Sequence, residues 1–326
     1  MTQTDVTVGV DIGGTNTMFG FIDATGRELG GGQFATYADD PPEQLIRRLA
    51  DAIKKAFMSL EDDNCRLVGI GIGAPNANFH NGTVEHPPNF DWEVVDVVSL
   101  MRRHFDLPVL ITNDANAAAL GEMRYGGAKG MKHFVQITLG TGLGSGLVVD
   151  GNVVFGHDGF AGEMGHLTVD PKSDRRCGCG KYGCLETWAS ATGVARTARK
   201  LLAERTEDSQ LRLVPPEDIS SKDVFLAAEK GDPLALEVFA ITGEVLGIKL
   251  ADAVMILSPE AFFFFGGLAR AGELLLAPTR RAMEANLLPI FRGKVRLEIS
   301  QLQDRNVAVL GAAALMQSML PDLPQP

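Results

Sequence analysis

Short apolar runs that end in glycine alternate along this chain with longer stretches of helical spacing. Val6–Asp11, Met18–Ile22, Leu67–Gly73, Pro108–Thr112, His133–Leu139, Leu147–Asp150, Ala261–Phe265 and Val295–Ile299 read as strands. Between them, Pro41–Leu60 repeats Leu45, Leu49, Ile53 and Phe57 at every fourth position, the stripe of an amphipathic helix. Val94–Phe105, an alanine-rich stretch from Ala117, Ala189–Leu202, Ser220–Lys230, Pro233–Leu257, Gly272–Ala285 and Val307–Met319 read as further helices. The segments 76–92 and 204–218 are polar and read as loops. Strands alternating with helices predict an α/β protein.

Two of the strand pairs enclose glycine-rich turns: Asp11-Ile12-Gly13-Gly14-Thr15-Asn16 and Gly140-Thr141-Gly142-Leu143-Gly144. Glycine lets backbone amides approach an anion closely, so both turns are candidate phosphate cradles; a tight hairpin alone also explains Gly-Gly. Neither is a P-loop. Their spacing of about 130 residues suggests one fold used twice. Asp11, at a strand end, is placed to hold Mg2+. Asp114, also at a strand end, is either a functional carboxylate or a helix N-cap.

The stretch Gly162–Glu186 carries His166, Cys177, Cys179 and Cys184. Three thiols and an imidazole form a Cys3His set suited to tetrahedral zinc, and an odd number of cysteines, two of them one residue apart, argues against disulfides. Four protein ligands close the shell, so the expected zinc is structural. One nitrogen of His166 then stays free for another partner. Cys65 reads as a core position.

Composition narrows the classes. The chain has 326 residues, 45% hydrophobic and 22% charged, with a net charge of −11. That acidity disfavours nucleic acid, while local amides still permit anionic ligands. No run reaches membrane-spanning length, no leader is evident, and the unpaired thiols favour the cytoplasm.

DIGGTN at Asp11, NDANAAALGE at Asn113, GEMGH at Gly162 and CGCGKYGCLE at Cys177 together resemble the motifs of the ROK (repressor, open reading frame, kinase) family, in the family's order. The resemblance runs to LGAAAL at Leu310. It implies an actin-like ATPase (ribonuclease H-like) duplicated fold of two lobes with a cleft. The lobes are expected at 1–121, joined by the C-terminal helix 306–319, and at 122–305, which carries the zinc loop; a hinge is expected near Gly121–Gly126. The implied activity is ATP-dependent hexose phosphorylation, with glucose and position 6 favoured. N-acetylmannosamine, N-acetylglucosamine, mannose and fructose are the alternatives.

By the same resemblance Asp114 is the general base. Asn89, Asn113, Asp114, Glu163, His166 and Glu186 bind the sugar. Asp11, Gly13, Gly14, Thr15, Asn16, Thr141, Gly142, Gly266 and Gly267 bind ATP, although close helix–strand packing alone also explains Gly266-Gly267. Each glutamate, read on its own, is also compatible with a surface salt bridge. Asn76 stands where most members have glycine. A homodimer is expected from the family. Some members are sugar-sensing repressors with a helix-turn-helix ahead of the DIGGT segment; few residues precede it here, so the kinase is the expectation and no nucleic-acid or membrane partner is expected.

Overall fold

The computed structural model describes residues 3–60, 64–303 and 306–320. The chain divides into two compact units: Met1–Gly130 with Val153–Ala161 and Gln301–Pro326, and Met131–Asn152 with Gly162–Ser300.

The first unit opens with β1 (Thr4–Ile12), β2 (Asn16–Asp23) and β3 (Glu28–Ala35), followed by α1 (Pro42–Phe57) and β4 (Cys65–Gly73). A small sheet of β5 (Ala77–Asn78), β6 (Thr83–Glu85) and β7 (Val94–Asp96) comes next, then α2 (Val97–Arg102), β8 (Val109–Thr112) and α3 (Asp114–Tyr125). The main sheet has the order β3-β2-β1-β4-β8. β1 runs antiparallel to β2 and parallel to β4. Val6, Val8, Val10, Ile70 and Ile72 put one face of it into a core shared with Leu45, Leu49 and Ile53 of α1.

The second unit repeats the pattern. β9 (Phe134–Leu139), β10 (Leu143–Val149) and β11 (Asn152–Val153) precede α4 (Glu186–Ala189), α5 (Ala191–Glu204), α6 (Ser221–Glu229) and α7 (Pro233–Leu257); β12 (Ala261–Phe265), α8 (Glu273–Asn286) and β13 (Arg296–Ile299) follow. The sheet order is β11-β10-β9-β12-β13, with β9 antiparallel to β10 and parallel to β12. Strand for strand this is the first sheet again, so the expected duplication is present. Val135, Ile137, Leu139, Phe262 and Phe264 build its core with α5, α7 and α8.

The last helix, α9 (Val307–Met319), belongs to the first unit and covers the other face of its sheet. It lies so close that a Cβ on Gly9 would sit 1.9 Å from the Val309 carbonyl oxygen, and one on Gly71 would sit 1.8 Å from that of Ala312. Gly311 meets α3 in the same way, 1.7 Å from the Ala117 oxygen. Only glycine permits backbone-to-backbone approach of this kind.

Several elements differ from the sequence reading. β3 was not expected, and β5 and β6 lie within the expected loop at 76–92. The helix expected from Val94 starts at Val97, because Val94–Asp96 pairs with β6 and the Asp96 carboxylate caps the helix by accepting from Ser99 N. The hinge expected at Gly121–Gly126 falls inside and at the end of α3, and the unit boundary comes later, at Gly130. The expected boundary at residue 305 lies outside the described residues.

Candidate active site and metal centre

In the first unit, β1 and α3 bring two carboxylates together. Asn113 is the N-cap of α3: its Oδ1 accepts the Ala115 amide at 2.7 Å, and Asp114 Oδ1 accepts the same amide at 2.8 Å. The cap is therefore Asn113, and Asp114 is the first helical residue. Asp114 remains open to solvent. Desolvation by the protein packed around it raises its pKa, against the opposing pull of the Ala115 amide. Asp11, at the end of β1, is pushed up to about 7 by burial first and by the Asp114 charge second. Two acids so arranged provide a place for a hard cation.

The first glycine turn closes with Gly13 N–H on the Asn16 carbonyl at 3.0 Å. Asn89 packs on it, since a Cβ on Gly14 would lie 2.5 Å from the Asn89 Cβ. Asn76 is explained by its backbone: its φ is +52°, in the left-handed region where glycine is favoured and Asn tolerated. Its amide also donates to the His86 carbonyl at 2.9 Å.

In the second unit the turn between β9 and β10 closes with Gly140 N–H on the Gly142 carbonyl at 3.1 Å. Glu186 Oε2 accepts the Leu143 amide at 3.3 Å, beside Gly142. Gly266, with φ +106°, abuts the end of β9: a Cβ there would sit 2.5 Å from the Leu139 oxygen. Gly267 has open space around it. The glycine pair thus has one structural member and one free one.

His166 ends a 3-10 turn, Met164–His166, that presses on β10. A Cβ on Gly165 would lie 2.1 Å from the Leu143 oxygen, and Ser145 Oγ donates to the Gly162 carbonyl. The ligand atoms of His166, Cys177, Cys179 and Cys184 all lie within 4.8 Å of one another. Cys177 Sγ is 3.6 Å from His166 Nδ1, and Cys179 Sγ is 3.7 Å from Cys184 Sγ. A zinc tetrahedron with its usual bond lengths has edges of about 3.5 to 3.8 Å, so these residues fit the metal. Burial, then the Glu186 carboxylate at 2.9 Å, raise the Cys177 thiol pKa, a cost that a bound cation would relieve. His166 Nε2 faces Glu163 Oε2 at 3.9 Å. Arg175 braces the loop from within: it is buried, donates to the Thr187 carbonyl and to Thr197 Oγ1, and stacks over the Trp188 ring at 3.6 Å.

Among the residues singled out from sequence, Asp11 lies near Asp114, and His166, Cys177, Cys179 and Cys184 cluster with Glu163 and Glu186 beside His166. Sequence reasoning missed Thr36 and Thr192, which hydrogen-bond to the turn carbonyls from outside any motif. No single-sequence signal marks them, because their partners are distant along the chain.

Two hairpin-led sheets of identical strand order, each ending in a glycine turn, define an actin-like ATPase fold. The chain belongs to the ROK family, whose sequence pattern matches residues 7–319. A glucokinase from Halalkalibacterium halodurans is 38% identical over 313 residues, covering 95% of this chain and 94% of that enzyme. The crystal structure of a ROK family glucokinase from Streptomyces griseus, in complex with glucose and AMPPNP, matches with a TM-score of 0.80 at 33% identity, over 96% of this chain and 99% of that one. A ROK family transcriptional regulator, a homolog of the E. coli MLC protein, matches with a TM-score of 0.88 at 28% identity, over 98% of this chain and 80% of the regulator.

Proposed function

We infer that this chain is an ATP-dependent hexose kinase, and specifically a glucokinase that phosphorylates O6 of glucose. The observation that carries this reading is 38% identity to a glucokinase along 95% of the chain; Asp114, the first residue of α3, is the proposed base. Phosphoryl transfer depends mainly on positioning and charge neutralisation. The amides of the two glycine turns would hold the phosphates, with Gly266 and Gly267 at the adenosine. Asp11 would hold Mg2+, directly or through water, and the ion would supply charge neutralisation. Asp114 aligns the acceptor hydroxyl and takes its proton late in the transfer; its raised pKa makes it a better base than an ordinary carboxylate.

The proposed sugar ligands are Asn89, Asn113 and Asp114 in the first unit and Glu163, His166 and Glu186 in the second. Asn113 caps with its oxygen, which leaves its amide nitrogen to donate. His166 through Nδ1, Cys177, Cys179 and Cys184 would hold a structural zinc, which would leave Nε2 to face a hydroxyl. Among the described residues no helix is long and apolar enough to cross a membrane, and a cytoplasmic location is part of this reading. So is a homodimer, for which the exposed Leu167, Met255 and Ile256 beside one groove of the second unit offer a suitable face.

A coupled assay with ATP, Mg2+ and glucose, N-acetylmannosamine, N-acetylglucosamine, mannose or fructose tests the assignment; glucose should give the highest kcat/KM. Asp114→Asn should lower kcat by about 10³-fold and leave glucose binding intact. A fully active Asp114→Asn would remove the base from this account. The regulator likeness favours a sugar-sensing repressor as second reading, and specific operator binding without turnover would select it.

A further inference from the structure

Both glycine turns are tied back by a threonine hydroxyl. In the first unit Thr36 N–H donates to the Thr15 carbonyl at 2.9 Å, and Thr36 Oγ1 donates to the Gly13 carbonyl at 2.7 Å. Thr36 Oγ1 also lies 2.9 Å from Thr17 Oγ1; with its own proton on Gly13, it accepts there. In the second unit Ala191 N–H donates to the Gly140 carbonyl at 2.9 Å, and Thr192 Oγ1 donates to the Thr141 carbonyl at 2.8 Å. The two arrangements come from unrelated segments: the end of β3 in one case, the first turn of α5 in the other.

The consequence follows from peptide geometry. In a planar trans peptide the C=O and the next N–H point in opposite directions. A carbonyl held backward therefore aims the following amide forward. Holding Gly13 aims Gly14 N–H; holding Gly140 and Thr141 aims Thr141 N–H and Gly142 N–H. Among the described residues these three amides donate to no acceptor. Thr192 itself is exposed; its hydroxyl also lies 3.0 Å from Ser190 Oγ, but Ser190 gives its own proton to the Glu186 carbonyl, so Thr192 donates to the turn.

We propose that Thr36 and Thr192 are positioning residues for the phosphoryl donor, whose hydroxyls pre-aim the turn amides at its phosphates. Nothing needs to reorganise on binding, so loss of either hydroxyl is paid in donor affinity rather than in sugar affinity. The proposal rests on assigning the two turns to the phosphates.

The test is Thr192→Val, nearly isosteric and at an exposed site, with Thr192→Ser as the rescue. Calorimetry with AMPPNP should show about tenfold weaker binding in Thr192→Val, with recovery in Thr192→Ser. KM for ATP should rise in parallel, while KM for glucose and the melting temperature stay at wild-type values. Thr36→Val should move the donor affinity in the same direction, read alongside its melting temperature because Thr36 is buried. Amide NMR signals of Thr141 and Gly142 in the wild-type protein, followed during AMPPNP addition, separate the two levels. If they shift and Thr192→Val binds AMPPNP normally, the positioning role is overturned and the phosphate assignment stands. If they do not shift, the assignment fails and the positioning role with it.

Discussion

The two units share a strand order but not a second sheet face. With Gly13 aligned on Gly140, Val8 and Val10 match Val135 and Ile137 on the core side. On the other side Gly9 matches Gln136, and their parallel partners are Gly71 and Phe263. Asp11 matches Thr138. The repeated architecture therefore keeps the hairpin and the turn, draws the threonine tie from a different segment in each unit, and changes what surrounds them. The first unit gives up side chains on that face so that α9 can approach, and it alone puts a carboxylate at the foot of its turn. The repeat thus keeps a tied glycine turn in both copies and places a carboxylate beside one of them.

The comparison can be broken most forcefully at Gly9. Gly9→Val would drive side-chain atoms into the Val309 carbonyl and should destabilise the protein by about 3 kcal/mol or more, measured by denaturant unfolding. Asp11 comes next. Its folded pKa of about 7 lies above the ordinary 3.8, so the folded state holds this proton more tightly than the unfolded chain. The associated stability is present below pH 4 and is lost as pH rises towards and through 7. In metal-free, nucleotide-free protein, Asp11→Asn should thus be more stable than wild type at pH 8, by about 4 kcal/mol at most, and equal to it near pH 3.

Zinc removal probes the second unit. Chelation, verified by metal analysis, should free His166 and weaken glucose binding at least about tenfold in titration calorimetry. The smallest effect is expected at Gln136, whose side-chain nitrogen and oxygen are both buried without a partner. Gln136→Met should change stability by less than about 1 kcal/mol or raise it, in contrast to the Gly9 substitution at the matching position.

What the sequence revealed depended on how local the signal was. α7, β12 and α9 match their expected limits because long apolar periodicity or a fully buried run defines them. The Cys3His cluster was readable because its four residues lie within a stretch of twenty. β3 was not, because Gly30-Gly31-Gly32 erases alternation and most of the strand is exposed. β5–β7 have two or three residues each and exist only through pairing with one another. Asp114 follows the strand end as read from sequence, but no pattern distinguishes it from Asn113 as the cap; the extended backbone of Asn113, with ψ 148°, does.

The seat of α9 also sets an order of events during synthesis. Gly9 and Gly71 leave the ribosome long before Val309 and Ala312, the backbone they are shaped to receive; the first pair is separated by about 300 residues. At about 5 to 20 residues per second, that interval is about 15 to 60 s. Throughout it, the glycine-lined face of the first sheet has no helix to cover it, whereas the last strand of the second sheet, β13, is already made before α9 begins. The half that begins first is thus completed last, and a nascent chain stalled before Val307 would present that bare face to chaperones.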